Sequence, residues 1–163
     1  MFQAIEIDDP VSGRTESYWD GGYSGNPALF PLFAPELPDD VVIVNINPIE
    51  RDEVPFTPQQ IENRVNEISF NSTLLRELRA IAFVQRLLET HKVEQGTMKK
   101  VLVHMIADDK LMQELSVVTK MVPNPIVLNS LKVAGRKAAD GFLENYRNAL
   151  GKDSTVDLAG MLN

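Results

Sequence analysis

The chain contains no cysteine, a single tryptophan and no long apolar run. Without cysteine it has no disulfide, no thiolate nucleophile and no cysteine-ligated zinc, a composition that favours a cytoplasmic protein. Its uninterrupted apolar runs are only a few residues long, whereas a membrane-spanning helix needs about 20. Any membrane contact is therefore expected to be peripheral. Acidic residues outnumber basic ones, and the formal net charge of -7 argues against nucleic acid as a partner.

The remaining composition is typical of a folded domain. The 163 residues are 44% hydrophobic and 24% charged, which gives apolar surface for a core and none of the charge excess of a disordered tail. No internal repeat or linker divides the sequence, so we predict one structural unit over residues 1–163. Residues 2–7 alternate like a strand rather than like a signal peptide, and we expect the chain to begin inside a fold.

Two strand signals open the chain and a third follows. Residues 2–7 and 16–19 predict a β-hairpin, because the Asp, Pro, Ser and Gly between them are turn formers. The β-branched run 41–46 predicts a strand buried on both faces, as in the middle of a mostly parallel sheet that helices cover on both sides.

A long helix is predicted after the third strand. Thr57 is placed as its N-cap, Pro58 at its first position and Gln60 where it closes a capping box. Apolar residues then recur at helical spacing as far as Leu88. The polar residues 71–73 are expected either to bend this helix or to begin a second one.

The last third of the chain repeats the alternation of strand and helix. Residues 101–106 predict a strand, residues 110–115 a short helix, and Asn124 with Pro125 the start of a long packing helix that Gly151 ends. The whole pattern predicts an α/β fold with a mostly parallel or mixed sheet flanked by helices.

The histidines and paired aspartates are interpreted as structural. His91 is expected at the end of the long helix, and His104 inside a strand as a hydrogen-bonded core residue. Residues 8–9, 39–40 and 108–109 are aspartate pairs without the ligand spacing of a calcium loop, and they read as turn and cap residues. These residues predict no metal site.

One segment carries a signal for function. Asp20, Gly21 and Gly22 follow a strand, and residues 26–29 (Asn-Pro-Ala-Leu) come before an apolar segment and the Val/Ile-rich strand. This combination resembles the Asp-Gly-Gly motif of patatin-like phospholipases, and the resemblance extends over most of the chain. It implies a three-layer α/β fold, of which this sequence matches the C-terminal part.

The resemblance also implies a chemistry. The family is one of serine hydrolases that cleave lipid esters with a Ser-Asp dyad and without a cofactor, and Asp20 matches the aspartate that acts as general base. Such a base needs an ionised carboxylate within hydrogen-bond reach of the serine hydroxyl. By itself, an Asp-Gly-Gly turn would more simply be an aspartate that caps a glycine turn.

The sequence departs from the family in what it lacks. It has no Gly-x-Ser-x-Gly elbow and no glycine-rich oxyanion loop. The nearest imitation of the elbow is residues 22–26 with Ser24 at their centre, but this serine lies beside the base, whereas an elbow serine lies on a separate strand-to-helix turn. We therefore expect a half-enzyme that is inactive alone and needs a serine-bearing half as partner.

Two further expectations follow from that absence. An uncovered sheet edge favours association, so the chain by itself is expected to form a dimer or higher oligomer. The alternative function is a non-catalytic α/β module that binds a lipid or a protein.

Overall fold

The computed structural model describes residues 3–94, 96–115 and 124–162, along which four strands and four α-helices are found. The predicted α/β class is confirmed, with one antiparallel and one parallel pair of strands. The strands and helices are β1 (Ile5–Asp8), β2 (Thr15–Tyr18), β3 (Asp40–Asn45), α1 (Pro58–Glu89), β4 (Leu102–Ala107), α2 (Asp109–Glu114), α3 (Pro125–Tyr146) and α4 (Leu158–Leu162).

Strands β1 and β2 form the predicted hairpin, in which Ile5 pairs with Tyr18. Its turn is held by Asp9, whose carboxylate accepts hydrogen bonds from the amides of Val11 and Ser12, each at 3.0 Å. Every residue of both strands is exposed. The hairpin thus stands out from the rest of the described chain and contributes nothing to its core.

Strands β3 and β4 run parallel, and α1 connects them. Val41 pairs with Val103 and Ile43 with Met105, which places these four side chains on one face of the pair. That face packs against α1 and α4 and forms the core. Its buried members are Leu29, Val41, Ile43, Leu74, Leu78, Ile81, Val101, Val103 and Leu158.

Helix α1 begins at the predicted capping box. Oγ1 of Thr57 accepts from the amide of Gln60 at 3.3 Å, and Oε1 of Gln60 accepts from the amide of Thr57 at 3.0 Å. The helix is continuous for 32 residues, so residues 71–73 do not divide it. The side chain of Asn71 is buried and donates to the carbonyl of Pro48 at 2.9 Å, and it therefore does not compete with the helix backbone.

The prediction that β3 is buried on both faces is wrong. Val41 and Ile43 are 4% and 6% exposed, whereas Val42 and Val44 are 46% and 68% exposed. Helix α3 packs on the second face of the pair through Phe142, which contacts the His104 ring of β4 edge to face. It covers β4 and leaves the side chains of β3 on that face in solvent.

The C-terminal part contains an element that the pattern did not predict. Helix α3 begins as expected, with Oδ1 of Asn124 accepting from the amide of Ile126 at 2.9 Å. A 3-10 turn follows it, and Gly151 then adopts a φ of 73°, which suits glycine. Helix α4 was missed because five residues carry too little periodicity. None of the described helices combines the length and the apolar content needed to cross a membrane.

Candidate functional site

Asp20 lies at the end of β2, where the chain leaves the hairpin. It is the N-cap of a 3-10 turn at Gly21–Tyr23, and its Oδ1 accepts from the amide of Gly22 at 2.8 Å. A Cβ added to Gly22 would lie 3.1 Å from this oxygen, so only glycine fits there without crowding the carboxylate. Among the described residues nothing hydrogen-bonds to Oδ2, and the side chain is exposed.

Ser24 is turned toward its own loop. Its hydroxyl donates to the carbonyl of Gly21 at 3.1 Å, and its amide donates to the same oxygen at 3.0 Å. The structure therefore pairs Ser24 with a backbone carbonyl, and the hydroxyl does not hydrogen-bond to Asp20. This geometry is that of a loop residue rather than of an activated nucleophile, which needs a base within hydrogen-bond reach.

A groove runs beside β3, close to the Asp20 turn. A Cβ at Gly22 would lie 4.0 Å from Cβ of Asn26, which is itself part of the groove wall, so the Gly22 turn lies near the groove. We call this the β3 groove; its volume is about 360 Å³ and none of the described residues that line it is charged. They are Asn26, Pro27, Ala28, Leu29, Leu32, residues 41–47, Phe70, Asn71 and Leu74.

The backbone of β3 presents polar groups to this groove. The carbonyl of Asp39 accepts from the amide of Leu102 at 2.8 Å and so points toward β4. Because N–H and C=O groups alternate sides along a strand, Val41 and Ile43 also bond to β4, whereas Val42 and Val44 direct theirs outward. We call these outward groups the β3 edge. Within the described chain no strand pairs with it.

The opposite edge of the pair is closed. The carbonyl of Val103 in β4 accepts from the amides of Thr155 and Val156 at 3.0 and 3.3 Å. Its amide donates to Oγ of Ser154 at 3.0 Å. The outward groups of Val103 are thus satisfied by the segment before α4, whereas no strand of the described chain lies beside Val42 and Val44 of β3.

A second concavity lies between α1, the segment that leads into β4, and Phe33. It has a volume of about 300 Å³ and an almost entirely apolar lining. Lys99 is its one charged lining residue, and the ammonium donates to the carbonyls of Leu32, Ala34 and Leu37 at 2.9–3.2 Å. The lining residues are Phe33, Ala80, Ile81, Val84, Met98, Lys99 and Val101. An apolar cavity of this size is at the small end of those that bind ligands.

His104 is the buried, hydrogen-bonded histidine that the sequence predicted. It is 0% exposed; its Nε2 lies 2.8 Å from Oδ1 of Asp40 and its Nδ1 lies 3.2 Å from Oγ1 of Thr155. The amide of Gly151 donates to the same Asp40 oxygen at 2.8 Å and, together with His104, holds the pKa of Asp40 below its usual value. This cluster fastens β3 and β4 to the C-terminal segment, and it borders neither concavity.

A buried ion cluster at the end of β3 was not predicted. Glu67 is 3% exposed; it receives two hydrogen bonds from Arg51, at 2.7 and 2.8 Å, and a third from Arg64 at 3.4 Å. Arg51 lies 16 residues before Glu67, so no helical or strand periodicity could have linked them. The hydrogen bonds of Glu67 raise the pKa of Arg51 further and tie the loop after β3 to α1.

The other sequence candidates lie apart from Asp20. His91 follows the end of α1, where its Nδ1 lies 3.2 Å from the carbonyl of Leu88. Across residues 3–94, 96–115 and 124–162, no group of three or more His, Asp and Glu side chains is arranged to hold a metal ion. Comparison of the chain with protein-family models, curated proteins and solved structures found no match.

Proposed function

We propose that this chain contributes the general base, Asp20, to a patatin-like serine acyl hydrolase whose serine and oxyanion loop lie on a separate serine-bearing half. The observation that carries this proposal is the state of the Asp20 carboxylate. One oxygen is held by the glycine turn while the other is open, at the margin of an uncharged groove. The sequence supports the proposal through the motif of residues 20–29, which resembles that of the patatin-like family.

The reaction would proceed through an acyl-serine. Oδ2 of Asp20 takes the proton of the serine hydroxyl as its oxygen attacks the carbonyl carbon of a lipid ester. When the tetrahedral intermediate collapses, the C–O bond of the ester breaks and the alcohol leaves with the proton from Asp20. Water then attacks the acyl-serine and gives its proton to Asp20, which passes that proton to the serine oxygen as the acyl C–O bond breaks, so that the fatty acid leaves and the serine hydroxyl and the Asp20 carboxylate are regenerated. The bond from Gly22 to Oδ1 fixes the direction of Oδ2 throughout.

A lipid substrate fits the surroundings of Asp20. Trp19, Tyr23 and Phe30 are 67%, 73% and 67% exposed on the loop that carries the carboxylate. Aromatic side chains of this kind favour the boundary between water and lipid, which supports peripheral contact with a membrane surface. The apolar cavity behind Phe33 offers a surface of suitable character for an acyl chain.

The experiment is a complementation. The chain is co-expressed with the serine-bearing segment of a patatin-like hydrolase, cut before that segment's own Asp-Gly-Gly strand, and hydrolysis of short-chain p-nitrophenyl esters is measured. We expect turnover from the pair and none above background from the chain alone. In the pair, Asp20→Asn should lower kcat by about 10²- to 10⁴-fold, because asparagine cannot accept the proton. Asp8→Asn, in the same exposed hairpin, is the matched control.

Two results would contradict this proposal. Turnover by the chain alone that Ser24→Ala abolishes would make Ser24 a nucleophile, despite its hydrogen bond to Gly21. A pair that keeps its rate after Asp20→Asn would exclude Asp20 as the base. Circular dichroism of the Asp20→Asn chain separates loss of chemistry from loss of fold.

The second candidate function is a non-catalytic module that binds a protein or lipid. The open β3 edge favours it, because strand pairing alone would use this surface without any chemistry. The two functions differ in Asp20: a binding module should keep its affinity for a partner after Asp20→Asn, and no serine-bearing segment should produce turnover with it. Self-association of the isolated chain is expected of the half-enzyme, whereas a strict monomer at high concentration would favour the module.

A further inference from the structure

The two edges of the β3–β4 pair differ in the hydrogen bonds that their outward backbone groups make. Three residues close the edge of β4: Ser154, Thr155 and Val156 donate to or accept from the outward groups of Val103. The outward groups of Val42 and Val44 have no strand beside them in the described chain. Their amides and carbonyls lie in the wall of the β3 groove, which is large enough to be occupied.

The chemistry of the groove determines what it can accept. No charged side chain lines it in the part of the chain that the structure describes, so a charged segment would lose hydration there without gaining an ion pair. An acyl chain would cover the amides and carbonyls of Val42 and Val44 without bonding to them, and burying polar groups unpaired is unfavourable. An extended peptide satisfies these groups and places apolar side chains over the exposed valines.

We propose that the β3 edge receives an extended, uncharged strand of the serine-bearing half, which thereby completes a three-stranded sheet beside Asp20. This proposal rests on the proposed function and names the surface through which the two halves join. The position of Asn26 supports it, because this residue lines the groove and its Cβ lies only 4.0 Å from where a Cβ on Gly22 would be, beside the amide that bonds to Asp20. A strand in the groove therefore passes close to the base.

Amide hydrogen exchange measured by NMR tests the docking directly. In the chain alone, at a concentration low enough to keep it monomeric, the amides of Val42 and Val44 should exchange quickly, and those of Val41 and Ile43, which bond to β4, should exchange slowly. The serine-bearing segment used for complementation is then titrated into the labelled chain. Exchange at Val42 and Val44 should slow by about 10-fold or more, while Val41 and Ile43 change little.

A proline variant tests the same edge by function. Val44→Pro removes the outward amide, and proline is tolerated on an edge strand whose N–H faces solvent. Val44→Ala shortens the same side chain and keeps the amide, so it is the matched control. Relative to Val44→Ala, Val44→Pro should weaken binding of the segment by about 10-fold or more, and restored hydrolysis should fall in parallel at limiting segment concentration. If Val44→Pro does not fold, the exchange experiment decides alone.

The outcomes separate this inference from the function on which it rests. If the segment restores hydrolysis but the amides of Val42 and Val44 stay unprotected, the serine-bearing half docks elsewhere and the inference is wrong while the function stands. If the amides become protected and no hydrolysis appears, the docking surface is correct and the function is wrong. Protection that rises with the concentration of the chain alone, and that the segment does not displace, would assign the edge to a second copy and overturn the inference.

Discussion

The contact between Asp40 and His104 leads to a stability prediction that can be worked out bond by bond. Oδ1 of Asp40 accepts from the amide of Gly151 at 2.8 Å and lies 2.8 Å from Nε2 of His104. Asp40→Ala removes this oxygen. The amide of exposed Gly151 can turn to water, whereas Nε2 of His104 is fully buried and loses its partner. We expect a loss of about 1–3 kcal/mol in the free energy of unfolding.

Asp40→Asn isolates the contribution of the charge. Asparagine keeps an acceptor oxygen, but a hydrogen bond to a charged group contributes about 1.5–3 kcal/mol and a neutral one about 0.5–1.5 kcal/mol. The expected loss is therefore about 1 kcal/mol, smaller than that of the alanine variant. Urea unfolding followed by circular dichroism measures both. Asp39→Ala is the control, because that neighbouring side chain is exposed and should change stability by no more than about 0.5 kcal/mol.

The same pair should depend on pH with a defined sign. The folded-state pKa of Asp40 is lowered, so ionised Asp40 stabilises the fold above its unfolded pKa of about 3.9. That contribution is lost as the pH falls through the lower, folded pKa. The difference in stability between the wild-type chain and Asp40→Asn should thus be constant near neutral pH and shrink below about pH 4. An unchanged difference at low pH, or an Asp40→Ala loss no larger than that of Asp39→Ala, would refute the reasoning.

Two further predictions concern α1. Thr57→Ala should lower the free energy of unfolding by about 1 kcal/mol, because it removes the oxygen that accepts from the Gln60 amide; an unchanged melting temperature would mean that the capping box contributes little. Glu67→Ala should cost about 1.5–3 kcal/mol, since the half-buried Arg51 loses its hydrogen bonds to a charged partner. Glu62→Ala, exposed on the same helix, is the control, and equal losses in both variants would contradict the role of the ion cluster.

The parts of the fold that could be predicted are those with local signals. A capping box joins Thr57 and Gln60 three residues apart, and turn formers join the two strands of the hairpin. Each such signal depends on residues that are neighbours both in sequence and in space. The helix starts at Pro58 and Pro125 and the strand pattern of residues 101–106 were therefore correct.

The incorrect or missing parts depend on distant residues. Whether β3 is covered on its second face depends on where α3 packs, and α3 lies about 80 residues away in sequence. Asp40 and His104 are 64 residues apart, and Arg51 and Glu67 are 16 apart, so no periodicity could have paired them. A continuous β-branched run indicates a strand but does not show how many of its faces are covered.

For the candidate site, the sequence analysis selected Asp20 but did not predict the groove near it. Asp20 was selected by the motif of residues 20–29, and that assignment stays a prediction. The simpler interpretation of the residues, an aspartate capping a glycine turn, describes the bond from Gly22 correctly. The two interpretations are compatible, because a cap uses only one carboxylate oxygen. The groove beside β3 was beyond prediction, since its walls come from three separate stretches of the chain.

The hydrogen bonds on the outer edge of β4 also bear on the entropic cost of adding a strand to β3. Because Ser154, Thr155 and Val156 already bond to Val103, and the inner face of the pair already packs on α1, the β3–β4 pair exists without a third strand. An incoming strand therefore meets a template that is already ordered. The entropic cost of ordering falls mainly on the incoming strand rather than on the chain that carries Asp20. Substitutions at Val42 and Val44 should accordingly change the affinity for that strand more than they change the stability of the isolated chain.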